Sequence, residues 1–413
     1  MDRERSVTVM SRRPGTPRLL RQLNDRAALE LLLASGPLTR TQLGQETGLS
    51  KVTASQLLAR LEERRLVHVV GSQAGGRGPN AALYAVVPSS AYALALDIRA
   101  GEVTGALADI TGQITGEFTL DPGDTPDPVA QVNRAVKRLL QTCEVPPDRL
   151  SACTIGTPGV VDPRTGAVRF SFDLHTWLED AFQALRTDLG PVVRIENDVN
   201  LAALAEHAEG AGEDVSDFVL IWLGGGGGVG MAIMLDDRVH WGTTGGAGEI
   251  GYLPVPGAPL PGDVGLPGGY QSMRRTAERP TIAHGFQALV GAQEILALGE
   301  SHGFAGRTVG DVLTAAAEAG PPGEGLLDEL AERIARGVAA VCVVLDPGLV
   351  VLGGEVAQSG GDVLARRVAD AAARIGPNAP QVSVGRVEAP VLRGALLSAL
   401  QHAREDVFDS TVE

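Results

Sequence analysis

Cysteine is scarce in this chain of 413 residues: Cys143, Cys153 and Cys342 are odd in number, far apart and form no CxxC pair. That argues against a disulfide framework and reads as reduced core thiols of a cytoplasmic protein. No apolar run reaches the length of a membrane span, so no membrane partner is expected. Met1-Asp2-Arg3-Glu4-Arg5 leads into no apolar segment, and no signal peptide is read there. Positive charge is short as well, with 35 Lys+Arg against 50 Asp+Glu and a net charge of -15. What is present is a globular composition, 44% hydrophobic, in a chain long enough for two or three domains.

The shortage of positive charge is uneven. Residues 1–80 carry 13 basic against 7 acidic residues, and residues 81–413 carry 22 against 43. A basic head on an acidic body places any nucleic-acid contact on the head. Residues 1–20, rich in Arg, Ser and Pro without periodicity, read as a flexible arm. A helix is expected from Asn24 or Asp25, either of which is a suitable cap, to Leu33, ended by Gly36-Pro37. A second starts after Thr39 with Gln42 three residues on, the pattern of a capping box. Gly48-Leu49-Ser50 is a turn, and Ser50 caps a third helix from Lys51 to about Arg65.

In that third helix Val52, Leu57, Leu58 and Leu61 are expected to pack on the first two helices. Ser50, Lys51, Thr53, Ser55 and Gln56 are left for solvent or a DNA groove. Short polar and basic residues at the start of such a helix suit a major-groove reader. Leu66–Gly71 and Ala81–Val87 read as strands joined by a glycine-rich wing that carries Arg77, suited to a phosphate or the minor groove. Residues 21–88 therefore predict a winged helix-turn-helix that binds double-stranded DNA. The alternative is a small helical dimerisation module.

Residues 89–413 predict an α/β body. Strands are expected at Tyr92–Ile98, Val103–Asp109 and Gln113–Phe118, then a helix over 129–143 and a strand over 150–156. A second set appears later: strands at Phe218–Leu223 and Val229–Met234 around the loop Gly224–Gly228, a helix over 326–345, strands at Leu349–Leu352 and Val382–Val387, and a final helix over 392–404. Two related lobes with a cleft between them are expected. The opening order resembles the first half of an actin-like ATPase (ribonuclease H-like) domain.

Five segments carry a more specific resemblance: Gly156-Thr157-Pro158-Gly159-Val160-Val161-Asp162, Glu196-Asn197-Asp198-Val199-Asn200, Leu223–Gly230, Gly245–Gly251 and Val351–Gly354. Together and in order they resemble the ROK family of repressors and sugar kinases over residues 25–405. The head places the chain with that family's transcriptional regulators. The resemblance implies a repressor, acting as a homodimer or homotetramer on an operator and governed by a carbohydrate effector. Two alternatives stay open: an ATP-dependent sugar kinase carrying a DNA-binding head, and a regulator that needs no effector.

The resemblance also implies site residues. Asp198 matches the kinases' general base, and Asn197 and Glu249 match sugar-binding residues. Asp173 stands where an asparagine is usual, so a donor-acceptor amide becomes an acceptor-only carboxylate. Tyr252 replaces a histidine that binds sugar and zinc. Pro259, Pro261 and Leu266 fall at three cysteine positions, and Gly268 at that of a second glutamate. Proline and leucine cannot ligate zinc, so no metal is expected. The first phosphate loop is also altered: Asp97-Ile98-Arg99-Ala100-Gly101-Glu102 lacks the glycines and the threonine that hold phosphate. No catalytic residue and no cofactor are expected.

Overall fold

A computed structural model describes residues 17–74, 80–99, 101–121, 127–170, 179–189, 193–226, 228–260 and 284–409. The chain forms two compact units. One is Met1–Tyr92 with Ala108–Gln113 and Leu400–Glu413; the other is Ala93–Leu107 with Ile114–Ala399.

The first unit holds α1 (Pro17–Ser35), β1 (Leu38–Thr39), α2 (Arg40–Glu46), α3 (Lys51–Glu63), β2 (Val67–Gln73) and β3 (Ala81–Val86). Helix α1 opens at Pro17, whose fixed φ suits a first turn. The expected arm is therefore helical from residue 17, and Asn24 and Asp25 lie inside α1, not at its cap. Asp25 is buried and takes an ion pair from Arg60 of α3 at 2.6 Å, which joins the two helices. The capping box at Thr39 and Gln42 is formed. Gly48 takes a positive φ of 68° and turns the chain into α3. The three strands form an antiparallel sheet in the order β1-β3-β2. The wing residues 75–79, Arg77 among them, lie outside the described residues.

One expectation for α3 fails. Ala54, Leu57, Leu58 and Leu61 are buried, but Val52 is 67% exposed. At 3.6 residues per turn Val52 points roughly 180° away from Leu61. Hydrophobicity alone had grouped it with a face it does not share.

The second unit is built on two five-stranded sheets. The first uses β4 (Tyr92–Ile98), β5 (Val103–Asp109), β6 (Ile114–Leu120), β7 (Leu150–Thr157) and, after the short pair β8 (Val160–Val161) and β9 (Val168–Phe170), β10 (Val193–Asn197). Helices α4 (Pro128–Thr142), α5 (Glu179–Leu189) and α6 (Asp198–Glu209) are interleaved. The second uses β11 (Phe218–Leu223), β12 (Val229–Leu235), β13 (Arg238–Val239), β14 (Leu349–Gly353) and β15 (Val382–Val384). With it run α7 (Gln287–Val290), α8 (Ala292–Ser301), α9 (Val309–Ala319), α10 (Pro321–Leu345), α11 (Gly354–Ala373) and the first part of α12 (Pro390–Asp409), whose residues from Leu400 on belong to the first unit.

The strand orders are β10-β7-β4-β5-β6 and β13-β12-β11-β14-β15. Read from the β15 edge, the second sheet repeats the first, in the order fifth, fourth, first, second, third. The duplicated lobes expected from sequence are thus present. Parallel pairing of β7 with β10, and of β11 with β14, leaves the strands' carboxyl ends on one edge, where their loops carry the conspicuous residues. Every residue of β14 is buried, as a central parallel strand requires. Around it Phe286, Ile334, Val338, Leu352 and Val356 form the centre of a continuous core.

Candidate functional site

Strand β10 delivers Asn197 and Asp198 to the start of α6. Asn197 is the cap: its Oδ1 accepts the amide of Asn200 at 3.0 Å. Its Nδ2 donates to the Gly159 carbonyl at 3.0 Å and to Asp198 Oδ1 at 3.1 Å. The glycine-proline loop at 157–159 therefore meets this residue through its backbone. Asn197 spends its amide on holding the loop and Asp198 in place. Asp198 Oδ1 also accepts the amide of Val199 at 2.9 Å.

Glu196, one residue earlier, carries no role in the sequence reading, yet it organises the neighbourhood. Its Oε1 accepts the Asn197 amide at 2.8 Å and Asn200 Nδ2 at 2.9 Å. Its Oε2 accepts the indole N–H of Trp241 at 2.8 Å. Burial raises the Glu196 carboxyl above its ordinary pKa, and these three donors pull it back.

Trp241 begins the loop that ends at Glu249. Gly248 in that loop has a φ of 92°, and a Cβ there would overlap the Met231 carbonyl of β12. The close approach is closed by a hydrogen bond from the Met231 amide to the Gly248 carbonyl at 2.9 Å. Glu249 is thereby brought near Asp198. Burial, with the Asp198 charge added, pushes the Glu249 carboxyl up to about 7.

Tyr252 closes a short 3₁₀ turn, Ile250–Tyr252, after Glu249. Its ring lies tilted against that of buried His284, with centroids 5.9 Å apart. Backbone bonds from Gly285 to the Pro259 carbonyl and from Phe286 to the Leu253 carbonyl, both 2.9 Å, pin the chain as it returns. His284 was missed because some thirty residues of sequence separate it from Tyr252, and no local motif marks it. Among the described residues no group of three His, Cys, Asp or Glu side chains is placed to hold a metal ion. Asp173, Pro261, Leu266 and Gly268 lie outside the described residues.

In the altered first loop the arginine that stands in place of a glycine is paired with the carboxylate before it. Arg99 Nη2 pairs with Asp97 Oδ2 at 2.8 Å, and the charges of Asp97, Asp198 and Glu102 all favour its protonated form. Asp97 is buried and its carboxyl is raised by that burial, an effect that Arg99 partly offsets. In the second glycine loop Gly224 donates to the Gly228 carbonyl at 3.0 Å. The Glu355 carboxylate fills the space beside Gly225 and accepts the Gly310 amide at 3.0 Å.

On the head, Ser50 Oγ accepts the Thr53 amide at 3.2 Å and shares a hydrogen bond with Thr53 Oγ1 at 2.9 Å. Ser55 Oγ accepts from Arg40 at 3.3 Å. Lys51 and Gln56 are exposed on α3.

A fold of duplicated lobes with a carboxylate pair near their strand ends, preceded by a winged helix, defines a sugar-kinase-like body with a DNA-binding type of head. The sequence model of the ROK family matches residues 93–394, and that of the MarR family matches residues 22–78. The chain belongs to the ROK family. The DNA-binding transcriptional dual regulator NagC of Escherichia coli (strain K12) is 25% identical over 243 residues, 58% of this chain and 59% of that protein. The xylose repressor of Caldicellulosiruptor bescii is 26% identical over 250 residues, 58% of this chain and 61% of that protein. The chain thus spans about three-fifths of the length of the curated relatives it matches.

Among solved structures, a ROK family transcriptional regulator, a homolog of the Escherichia coli MLC protein, matches with a TM-score of 0.71 at 20% identity, over 95% of this chain and 99% of that one. A ROK hexokinase from Thermus thermophilus matches with a TM-score of 0.59 at 24% identity, over 76% of this chain and 99% of that one. These likenesses establish the fold.

Proposed function

We propose that the chain is a DNA-binding transcriptional regulator, a repressor whose body binds a carbohydrate effector and does not phosphorylate it. The observation that carries this reading is the Arg99–Asp97 ion pair at 2.8 Å in the first phosphate loop, in a chain that also presents a capped, exposed reader helix. A phosphate loop works through bare backbone amides. Here a bulky side chain stands in it, and Glu102 and Glu355 add negative charge at the two loops. The Arg99 charge is answered by Asp97, so the surroundings stay acidic and disfavour ATP phosphates, while Asp198 and Glu249 remain able to hydrogen-bond sugar hydroxyls.

Binding of DNA follows from the basic head, the match of residues 22–78 to the MarR family model and the exposed Lys51 and Gln56. A homodimer or homotetramer on a pseudo-palindromic operator is the arrangement that two such heads would use. Effector binding at Asp198 and Glu249 would bias one arrangement of the lobes over another, and with it operator affinity.

The test is selection of duplexes from a random pool by the full-length protein, followed by titration with hexoses, amino sugars and their phosphates. Enrichment of a two-fold symmetric site, released by one sugar class, is the expected result. A coupled assay that shows ATP-dependent sugar turnover, abolished by Asp198→Asn, would overturn the non-enzymatic reading.

A further inference from the structure

We infer that Val52 reads a thymine methyl group in the operator, and that Val52 and Gln56 together select an A·T-containing half-site. The inference rests on the DNA-binding reading above and adds the base that it recognises.

A single exposed valine is ordinary on a protein surface. Val52 differs in its place and its company. It is 67% exposed in the first turn of α3, the part of a reader helix that meets base edges. Gln56 and Ala59 follow it at four and seven residues, within roughly 40° of the same helical direction, and both are exposed. These three side chains carry no charge, although the head as a whole is basic, and the next residue in the same direction, Glu63, closes the far end of α3. Each hydroxyl that sequence alone offers as a reader already makes a bond within the head. Ser50 and Thr53 bond each other at 2.9 Å, and Ser55 accepts from Arg40 at 3.3 Å. Val52 and Gln56 are the side chains of the stripe left to meet a base.

The chemistry of these two is complementary. Thymine alone among the bases presents a methyl group in the major groove, and an apolar side chain recognises it by contact. A glutamine amide matches adenine N6 and N7 with two hydrogen bonds. Four residues of helix rise about 6 Å, close to two base-pair steps of roughly 3.4 Å. One helix face can therefore touch a thymine methyl and an adenine edge about two steps apart. Removing the methyl takes away one buried CH₃ and nothing else.

The test begins with duplexes selected by the full-length protein from a random pool. Each thymine of the selected site is replaced singly by uracil, which deletes only the methyl group, and affinity is measured for the wild type and for Val52→Ala. Wild type is expected to lose about fourfold at one thymine per half-site, which corresponds to about 0.8 kcal/mol for one methyl. Val52→Ala is expected to bind thymine and uracil sites equally. The inference is overturned if the wild type is indifferent to every uracil, or if Val52→Ala remains as sensitive as the wild type. If no duplex is enriched at all, the DNA-binding reading fails and the inference falls with it.

Discussion

The indole N–H of Trp241 donates to Oε2 of Glu196 at 2.8 Å, tying the loop that ends at Glu249 to the strand that ends at Asn197. Two segments 45 residues apart are thus held in register by a half-buried carboxylate. Glu196→Ala would strand three donors: the Asn197 amide, Asn200 Nδ2 and the indole. A buried donor left without an acceptor costs about 1–3 kcal/mol, and here the cost is softened because Trp241 is 40% exposed and the other two donors are only partly buried. A loss of about 2–4 kcal/mol in urea unfolding is expected. Trp241→Phe should cost less, since it removes one donor and leaves the other two bonded. A loss below 1 kcal/mol in Glu196→Ala would show that the network does not hold the loop.

Glu249 makes the site sensitive to pH near neutrality. Its carboxyl titrates at about 7 in the fold against an ordinary value of 4.5. Below 4.5 both folded and unfolded chains are protonated there, and the group contributes nothing. Between 4.5 and 7 the folded chain holds the extra proton, so stability falls as pH rises, and above 7 the full cost is present. Melting temperature measured from pH 5 to 8 should therefore decline less in Glu249→Gln than in the wild type. Parallel curves would refute the assignment. Below about 7 the protonated carboxyl can also donate to a sugar oxygen, and above it the group can only accept.

Arg99→Ala leaves Asp97 buried without its counter-charge. The arginine is itself about half exposed, with a side-chain exposure of 47%, so the penalty is moderated by solvent. A loss of about 1–3 kcal/mol is expected at pH 8. The loss should shrink toward pH 5, because Asp97, already raised by burial, rises further without Arg99 and takes up a proton. Equal losses at the two pH values would mean that the pair contributes by packing alone.

Glu206, buried near the end of α6, staples that helix to the segment after β15. Its carboxylate accepts the amides of Ala211 at 2.8 Å, Arg386 at 3.0 Å and Val387 at 2.9 Å. No side chain of another type offers two acceptor oxygens at that reach without a donor. Glu206→Gln turns one oxygen into a donor facing an amide, and about 2–4 kcal/mol should be lost in denaturant titration. Near-neutral behaviour of this variant would contradict the geometry.

For DNA, Arg77→Ala should weaken binding to all duplexes alike and reduce the salt slope by about one unit, as expected for one phosphate contact. Gln56→Ala should leave the slope unchanged and relax preference at one base pair. Gel-shift titrations at three salt concentrations distinguish the two. An unchanged slope in Arg77→Ala would remove the wing from the interface.

Much of the fold is legible in the sequence. The capping box at Thr39 and Gln42 and the cap at Ser50 were visible because capping is a local competition for the first free amides of a helix. Strands β11 and β14 were visible because a strand buried on both faces needs a near-continuous apolar run. Local pattern failed at Val52, where hydrophobicity suggested the core and helical angle turned the side chain outward. It failed again at α1, where Pro17 starts a helix that the cap candidates Asn24 and Asp25 appeared to begin.

The family resemblance and the broken first phosphate loop were determined by the sequence itself, because each depends on residue types at short spacing, whereas the strand order of the two sheets was decided by the fold. Glu196 bonded to Trp241, Glu249 near Asp198, and Tyr252 against His284 were decided only by the tertiary structure. The reason is physical: a pKa or a hydrogen bond depends on which groups share a desolvated space, and those groups reach it from separate strands and loops. The sequence showed which ligands of metal and phosphate were missing. The fold showed what stands near them instead, a half-exposed ion pair and an aromatic contact.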